Sequence, residues 1–299
     1  MIKKNILTVL TVLFSLPIFS QVEKAEHLVF IGLDGWGSYC MGKADMPVTR
    51  QLMESGAYTL KKRSVLPSSS AVNWASMFMG ACQEIHGYTE WNSKTPEIPS
   101  RVIYKNGIFP TIFQILRDQH PSSEIGCIYE WSGIKYVVDT LSLNYFEQVP
   151  PSDNTNATAC KMAVKYIMDK KPNLFAIIFD EPDHTGHQIG HNTEAYYDKV
   201  HELDNYIGKI IRATKNAGVY NNTIFVLTGD HGGINKGHGG KSLQELESPF
   251  IISGKHIKKI GEFQESMMQF DIAPTIAYIF KLKTPQVWNG KVIKQVFKK

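Results

Sequence analysis

The sequence has no large excess of charge of either sign. Its 32 Lys and Arg residues against 28 Asp and Glu residues give the 299-residue chain a formal net charge of +4. A nucleic-acid-binding protein needs a concentrated basic face, so this balance gives no case for a nucleic-acid-binding surface. Hydrophobic residues make up 43% and charged residues 20%. This composition excludes a disordered chain, a collagen-like repeat and a coiled coil.

Long hydrophobic runs are also missing, except at the N-terminus. Met1–Ser20 has two lysines, then an apolar run, then small residues before Gln21, which is the pattern of a secretory signal peptide. The apolar run is short for a membrane-spanning helix, and Pro17 interrupts it. We therefore predict export to the periplasm or the extracellular space with removal of residues 1–20. We expect the remaining residues 21–299 to form one domain with no stable membrane anchor, and the oligomeric state stays open.

Cysteine is scarce. The four residues are widely spaced and lack the paired C-x-x-C arrangement of a zinc ribbon. Export makes one or two disulfides possible, but four cysteines allow three full pairings and the sequence favours none of them. Buried free thiols are the alternative. The residues concerned are Cys40, Cys82, Cys127 and Cys160.

Short apolar runs alternate with amphipathic runs along the chain. The apolar runs are rich in β-branched residues and read as buried strands. The predicted strands are His27–Leu33, Ile125–Tyr129, Leu174–Phe179, Thr223–Thr228 and Pro249–Ser253. The predicted helices are Pro47–Ser55, Pro110–Gln119, Ala157–Asp169, Thr193–Asn216 and Asp271–Phe280. This alternation predicts an α/β fold with a mostly parallel central sheet and helices on both faces.

Acidic residues follow three of the predicted strands. Asp34 ends the first, Asp180 and then Asp183 follow the third, and Asp230 comes two residues after the fourth. Ligand sites in such sheets form beyond the carboxyl ends of the strands, so these carboxylates are expected to meet at one edge. Like charges gathered there repel one another unless a cation lies among them.

Histidines accompany the same carboxylates. His187 follows Asp183 by four residues, His231 is adjacent to Asp230, and His238 comes after a Gly-rich loop. Mixed Asp and His ligands suit zinc best among the common ions, although manganese or iron would also tolerate them. Together with Asp34, Asp183 and Asp230, these three histidines make six candidate ligands. This number gives three ligands for each of two metals, with positions left for substrate.

A candidate nucleophile lies in the Ser68–Ser70 triplet. The helical pattern that begins near Ala71 puts Ser70 at a helix N-terminus, where free backbone N–H groups favour an anion. One of these serines could simply cap the helix, and Ser69 is the alternative nucleophile. No Gly-x-Ser-x-Gly elbow is present, so a metal is expected to activate the hydroxyl.

Together these residues resemble the alkaline phosphatase superfamily, most closely its nucleotide pyrophosphatase/phosphodiesterase branch. The resemblance rests on LDGWG at Asp34, the Ser70–Trp74 segment, His86-Gly87, EPDHTGH, TGDHGG and GHGG. It implies an alkaline-phosphatase-like three-layer sandwich that holds two zinc ions. It also implies two ligand sets. One consists of Asp183, His187 and His238, and the other of Asp34, Ser70, Asp230 and His231.

The resemblance further implies that Asn73, three residues after the nucleophile, donates to a non-bridging oxygen as charge develops. The diesterase branch commonly has Thr-Phe-Pro-Asn-His where this chain has Ser-Ala-Val-Asn-Trp. There is no Cys-x-Pro-x-Arg element, which argues against the formylglycine chemistry of type I sulfatases.

The predicted reaction is hydrolysis of a small-molecule phosphoric ester (a phosphodiester, a nucleotide pyrophosphate or a phosphomonoester) through a phosphoseryl intermediate. Trp74, Tyr88 and Trp91 flank the nucleophile segment and either stack on the substrate or pack internally. Two other interpretations stay open. One is a phosphoryl or phosphoethanolamine transferase or mutase of the same superfamily, and the other is an exported, non-catalytic metal- or glycan-binding protein.

Overall fold

A computed structural model describes residues Glu26–Lys298, so the predicted signal peptide lies outside the described residues. The strands are β1 His27–Asp34, β2 Ala57–Arg63, β3 Ile125–Tyr129, β4 Tyr145–Gln148, β5 Leu174–Pro182, β6 Thr223–Gly229, β7 Glu247–Gly254 and β8 Gly261–Glu262. The α-helices are α1 Pro47–Ser55, α2 Ser70–Met79, α3 Gln83–His86, α4 Ile112–Gln119, α5 Thr155–Lys170, α6 Asp183–Gln188, α7 Glu194–Asn216, α8 Leu243–Leu246 and α9 Ile272–Ile279.

The eight strands form one sheet in the order β4-β3-β5-β1-β6-β7-β2-β8. The five strands from β4 to β6 are parallel, and only β7 runs antiparallel to both of its neighbours. The central strand β1 pairs with β5 on one side and β6 on the other, with Ile31 opposite both Ile177 and Leu227. The predicted mostly parallel sheet is confirmed.

Helices cover both faces of this sheet. Along β1, Leu28 and Phe30 point into one hydrophobic core, and Val29, Ile31 and Leu33 point into the other. Residues of α2, α4 and α9 fill the first core, and residues of α1, α5 and α7 fill the second. Strands that are buried on both faces need apolar residues at every position, and β1 is buried along its whole length. The predicted α/β architecture is therefore confirmed.

Local sequence signals account for most element boundaries. Helix α1 has the predicted bounds. Helix α4 begins two residues later than predicted, because the Thr111 side chain accepts a hydrogen bond from Gln114 N and so occupies the N-cap position. Thr193 caps α7 in the same way, so that helix begins at Glu194.

Strands β2, β4 and β8 were not predicted. In β2 the pattern is mixed, since it contains Lys61, Lys62 and Arg63, and charged residues are depleted in strands. Edge position explains the other two, because β4 and β8 lie at the two ends of the sheet and bury little apolar surface.

The four cysteines are free thiols in the structure, which agrees with the second of the two interpretations above. Cys40, Cys127 and Cys160 are buried, and Cys82 is partly exposed. Among the described residues, no helix combines the length and the apolar character that crossing a bilayer requires.

Candidate active site

The order of the strands brings three carboxylates to one edge of the sheet. Asp34 is the last residue of β1, Asp183 follows β5 as the first residue of α6, and Asp230 follows β6. Because β5, β1 and β6 are adjacent and parallel, their carboxyl ends lie side by side. The three aspartates are buried to more than nine-tenths. This placement agrees with the expectation from the sequence that the three carboxylates lie at the same edge of the sheet.

One cluster forms around Asp34, Asp230 and His231. His231 Nε2 lies 3.5 Å from Asp34 Oδ1 and 3.3 Å from Asp230 Oδ2. Ser70 Oγ, at the first residue of α2, lies 3.3 Å from Asp34 Oδ1 and 3.2 Å from His231 Nε2. The three side chains predicted to bind one metal therefore lie within 4.8 Å of one another, and the candidate nucleophile is beside two of them.

A second cluster forms around Asp183, His187 and His238. The first two lie one helical turn apart on α6, and His187 Nε2 is 3.1 Å from Asp183 Oδ2. His238 Nε2 is 3.7 Å from the same oxygen and 3.1 Å from His187 Nε2. The rings of His231 and His238 stack with centroids 3.9 Å apart, so the two clusters are contiguous.

The orientation of the three imidazoles fits cation binding. Each Nδ1 faces a backbone carbonyl: His231 that of Gly232 at 2.8 Å, His187 that of Lys236 at 2.9 Å, and His238 that of Ser68 at 3.0 Å. A carbonyl only accepts hydrogen bonds, so in the neutral rings Nδ1 carries the proton and the Nε2 lone pairs converge. Backbone carbonyls hold metal-binding histidines in this way.

The clustering of these buried groups shifts their pKa values. Burial, together with repulsion among the carboxylates, raises the pKa of Asp34 and of Asp230 well above the ordinary range. Burial also acts to raise the pKa of Asp183, but the hydrogen bond with His187 and the neighbouring imidazoles outweigh it, and the pKa falls below its ordinary value. The same contact raises the pKa of His187 to about 9.

Two buried carboxylate oxygens in these clusters, Asp183 Oδ1 and Asp230 Oδ2, have no hydrogen-bond partner within residues 26–298. A buried, unpaired carboxylate is costly, and a divalent cation removes that cost. The donor set therefore fits metal ions. Its composition of carboxylate and imidazole is typical of zinc sites.

The segment before α2 is held by Asn73. Its Oδ1 accepts a hydrogen bond from Val65 N at 2.8 Å, and its Nδ2 donates to the carbonyls of Val65, Pro67 and Ser69. The side chain is fully buried. In this structure the amide therefore organises the loop that carries the serines, and the oxyanion role inferred from the resemblance stays a prediction.

Ser69 and Ser70 differ in their surroundings. Ser69 is the N-cap residue of α2, and its buried hydroxyl has no hydrogen-bond partner in the described part of the chain. Of these two hydroxyl groups, only that of Ser70 is within hydrogen-bond distance of the candidate metal ligands. This contact favours Ser70 over Ser69 as the nucleophile.

A cavity of about 160 Å³ opens beside Ser70 and both histidines of the second cluster. Of the three aromatic residues considered above, Trp91 lines it and is 58% exposed. Trp74 and Tyr88 are buried, and Trp74 Nε1 instead donates to Asp34 Oδ2 at 2.9 Å. These two residues therefore pack internally.

Three further residues line the cavity but were not among the predicted site residues. They are Trp131, Asp180 and His184. Asp180 follows a predicted strand and so had the same positional signal as Asp34, whereas nothing local marks Trp131. Asp180 and His184 also line a neighbouring cavity of about 390 Å³.

A buried lysine beneath the first cluster was likewise missed. Lys62 Nζ donates to Gly229 O at 2.8 Å, to Ser248 Oγ at 2.7 Å and to the side-chain oxygen of Gln269. Gln269 Nε2 in turn donates to Asp230 O at 2.9 Å. Burial lowers the pKa of Lys62 to about 7, with the charge of Asp230 opposing this shift. The network fixes the backbone where Asp230 leaves β6.

Two carboxylate–histidine clusters and a helix-start serine at the edge of a parallel sheet define a candidate metal-dependent esterase site. Residues 28–243 match the family of type I phosphodiesterases and nucleotide pyrophosphatases. The chain therefore belongs to this family, which is part of the alkaline phosphatase superfamily. At the level of the family, the chemistry is that of phosphoric esters.

Individual relatives are distant. Mouse bis(5'-adenosyl)-triphosphatase is 22% identical over 229 residues, covering 71% of this chain and 48% of the relative. GPI ethanolamine phosphate transferase 3 of Schizosaccharomyces pombe is 26% identical over 169 residues, covering 54% of this chain and 18% of the relative. The chain thus spans less than half the length of either.

Solved structures show the same fold. Murine ectonucleotide pyrophosphatase/phosphodiesterase 5, in an inactive form with AMP, superposes with a TM-score of 0.74 at 15% identity over 91% of this chain and 100% of the other. A 2-O GAG sulfatase has a TM-score of 0.73 at 14% identity over 91% and 73%. The predicted alkaline-phosphatase-like fold is confirmed.

Proposed function

We propose that this protein hydrolyses small phosphoric esters with two zinc ions and a phosphoseryl intermediate on Ser70. The observation that carries the proposal is the position of Ser70 Oγ, 3.3 Å from Asp34 Oδ1 and 3.2 Å from His231 Nε2. A hydroxyl at a helix start and among metal-binding side chains combines a nucleophile with its means of activation.

Asp34, Asp230 and His231, with Ser70, would hold one ion, and Asp183, His187 and His238 the other. When bound, divalent ions supply Lewis acidity that makes the serine hydroxyl more acidic and positive charge that stabilises the transferring phosphoryl group. The carbonyls behind the three histidines support this assignment, because they keep the Nε2 atoms turned toward the clusters.

The protein's own residues then have defined roles. Ser70 Oγ attacks phosphorus, the bond to the ester oxygen breaks, and the alcohol leaves. Water subsequently releases phosphate, or a phosphomonoester if the substrate is a diester, and restores the hydroxyl. Trp74, through its hydrogen bond to Asp34 Oδ2, holds this carboxylate beside the nucleophile. Alignment and charge neutralisation are the main demands of phosphoryl transfer.

The organic part of the ester would lie against Trp91 and Trp131, the two indole side chains that line the cavity. The neighbouring cavity behind Asp180 and His184 gives room for a larger group. A mono- or diester with an aromatic or sugar substituent fits these walls, since such groups stack on indole.

The test compares three nitrophenyl compounds, a phosphomonoester, a phosphodiester and a sulfate ester, with the wild type, Ser70→Ala and the matched control Ser69→Ala. Removal of the nucleophile is expected to lower kcat/KM by at least about 10³-fold, whereas Ser69→Ala is expected to stay within about tenfold. Chelation should abolish turnover, and Zn²⁺ should restore it. Preference for the sulfate ester by a wide margin would reject the phosphoesterase proposal.

A transferase is the second candidate, favoured by the match to GPI ethanolamine phosphate transferases. It shares the covalent step on Ser70 and differs in the acceptor, which takes the phosphoryl or phosphoethanolamine group in place of water. Product analysis with added ethanolamine or glycerol separates the two, since a transferase forms the new ester in preference to free phosphate. An exported non-catalytic binding protein would instead bind zinc and show the same negligible turnover before and after Ser70→Ala. Export itself stays a prediction.

A further inference from the structure

His191 belongs to neither of the two clusters, yet it lies directly behind one of them. It is 4% exposed in the connection between α6 and α7. Its Nε2 is 3.6 Å from Asp183 Oδ1. Across residues 26–298, neither of these two buried atoms has a hydrogen-bond partner. Two facing polar atoms that have no other partner form a natural donor and acceptor pair.

The imidazole occupies a slot between two glycines of the metal-binding motifs. A methyl group on Gly186 would lie 2.3 Å from His191 Cε1, and one on Gly233 would lie 2.4 Å from the same atom. Any side chain at either position would therefore displace the ring. The glycines of EPDHTGH and TGDHGG thus have a physical role here, which is to admit His191.

The Asp183 carboxylate is confined on its other side. A methyl group on Gly35 would lie 2.5 Å from Asp183 Oδ1. Asp183 Oδ2 faces the opposite way, 3.1 Å from His187 Nε2 and 3.7 Å from His238 Nε2. One carboxylate oxygen therefore points into the cluster, and the other points at His191.

The backbone and the second ring nitrogen of His191 are also held. Its N–H donates to Asn235 O at 2.6 Å, which ties it to the loop that carries His238. The Tyr39 hydroxyl lies 3.4 Å from Nδ1, and the Tyr39 ring packs against Tyr196. If the hydroxyl donates to Nδ1, the neutral ring carries its proton on Nε2, which is the nitrogen that faces Asp183.

We infer that His191 is a positioning residue for the metal centre, and that its Nε2–H, which faces Asp183 Oδ1 at 3.6 Å, attracts this oxygen and so keeps Oδ2 aimed at the ion. This inference rests on the metal site proposed above. Partners of this kind orient ligands, and their loss typically costs 10- to 100-fold in metal affinity. His191 acts through Asp183 and touches no substrate.

The test is Zn²⁺ binding to the metal-free protein, followed with a competing chromophoric chelator. His191→Gln and His191→Met form a matched pair, because both side chains are similar in length but only glutamine offers an N–H where Nε2 lies. We expect the methionine variant to bind one Zn²⁺ about 10- to 100-fold more weakly and the other unchanged. The glutamine variant should be close to wild type. His201→Met, which alters a partly exposed histidine of α7, is the control.

Asp34→Asn, which impairs the other cluster, assigns the two binding steps. Equal Zn²⁺ affinity of the methionine variant and wild type would overturn the inference, as would a glutamine variant as weak as methionine. Urea unfolding of the metal-free variants checks their folding. If His191→Met does not fold, Tyr39→Phe takes its place. Zn²⁺ binding at the same site is then expected to be weaker. Unchanged Zn²⁺ binding would count against the role of His191. Wild-type protein that binds no Zn²⁺ would reject the proposed metal centre along with this inference.

Discussion

His86 makes the stability of this protein depend on pH in a way that follows from its contacts. Its side chain is fully buried, Nδ1 accepts a hydrogen bond from Tyr88 N at 3.1 Å, and Nε2 lies 2.9 Å from Ser76 Oγ. The Ser76 hydroxyl donates to Val72 O at 2.8 Å, so Nε2 carries the proton that joins it to Ser76. Protonation of Nδ1 would break the contact with Tyr88.

Burial lowers the pKa of His86 from 6.5 to about 3. Because the folded pKa is below the unfolded one, the unfolded chain binds more protons between these values. The stability linked to His86 is therefore fully present above pH 6.5 and is lost as the pH falls toward 3. Each pH unit below 6.5 costs about 1.4 kcal/mol, which amounts to about 2 kcal/mol at pH 5.

The assay is urea unfolding of chelator-treated wild type and His86→Gln at pH 7 and pH 5. Glutamine does not titrate, so the free energy of unfolding of the variant should fall by about 2 kcal/mol less than that of wild type between the two pH values. The control His201→Gln alters a partly exposed histidine and should follow wild type. Parallel pH dependence of wild type and His86→Gln would refute the reasoning, because it would mean that the buried ring is not held neutral.

Two further predictions concern stability. Lys62→Met should lower the free energy of unfolding by about 3 kcal/mol, because three buried acceptors lose the donor that they share. A loss below about 0.5 kcal/mol in urea unfolding would contradict the network described for this residue. Gly80→Ala should cost at least about 2 kcal/mol, since Gly80 has φ +58° and a methyl group would lie 2.7 Å from Trp288 Cδ2. The matched control Gly42→Ala, with open space around it, should stay within about 0.5 kcal/mol, and equal losses in both variants would count against the steric argument.

The positions of the buried central strands and the approximate location of the candidate metal ligands were predictable from the sequence. Buried parallel strands must be apolar on both faces, so β1, β5 and β6 are visible as short apolar runs. An acidic residue just after such a run lies at the carboxyl edge of the sheet, whichever order the strands take. This is why Asp34, Asp183 and Asp230 were identified without knowledge of their distances.

The direction in which a side chain points was harder to predict from the sequence. The resemblance implies a role at the substrate for Asn73, which stays a prediction, and in this structure its amide contacts the backbone of the preceding loop. Trp74 and Tyr88 are near the nucleophile in sequence but buried in the core. Proximity along the chain does not determine which face of an element meets the cavity.

By itself, the sequence determined the class of fold, the pairing of carboxylates with histidines and the serine at a helix start. These features depend on local periodicity and on the rule that sites form at the carboxyl ends of parallel strands. Only the tertiary structure decided the surroundings of Lys62 and His191. The partner of Lys62, Gly229, lies far away along the chain. The slot around His191 combines nearby α6 with Gly233 of the distant loop after β6. Contacts between distant segments depend on the packing of the whole chain, which no local pattern records.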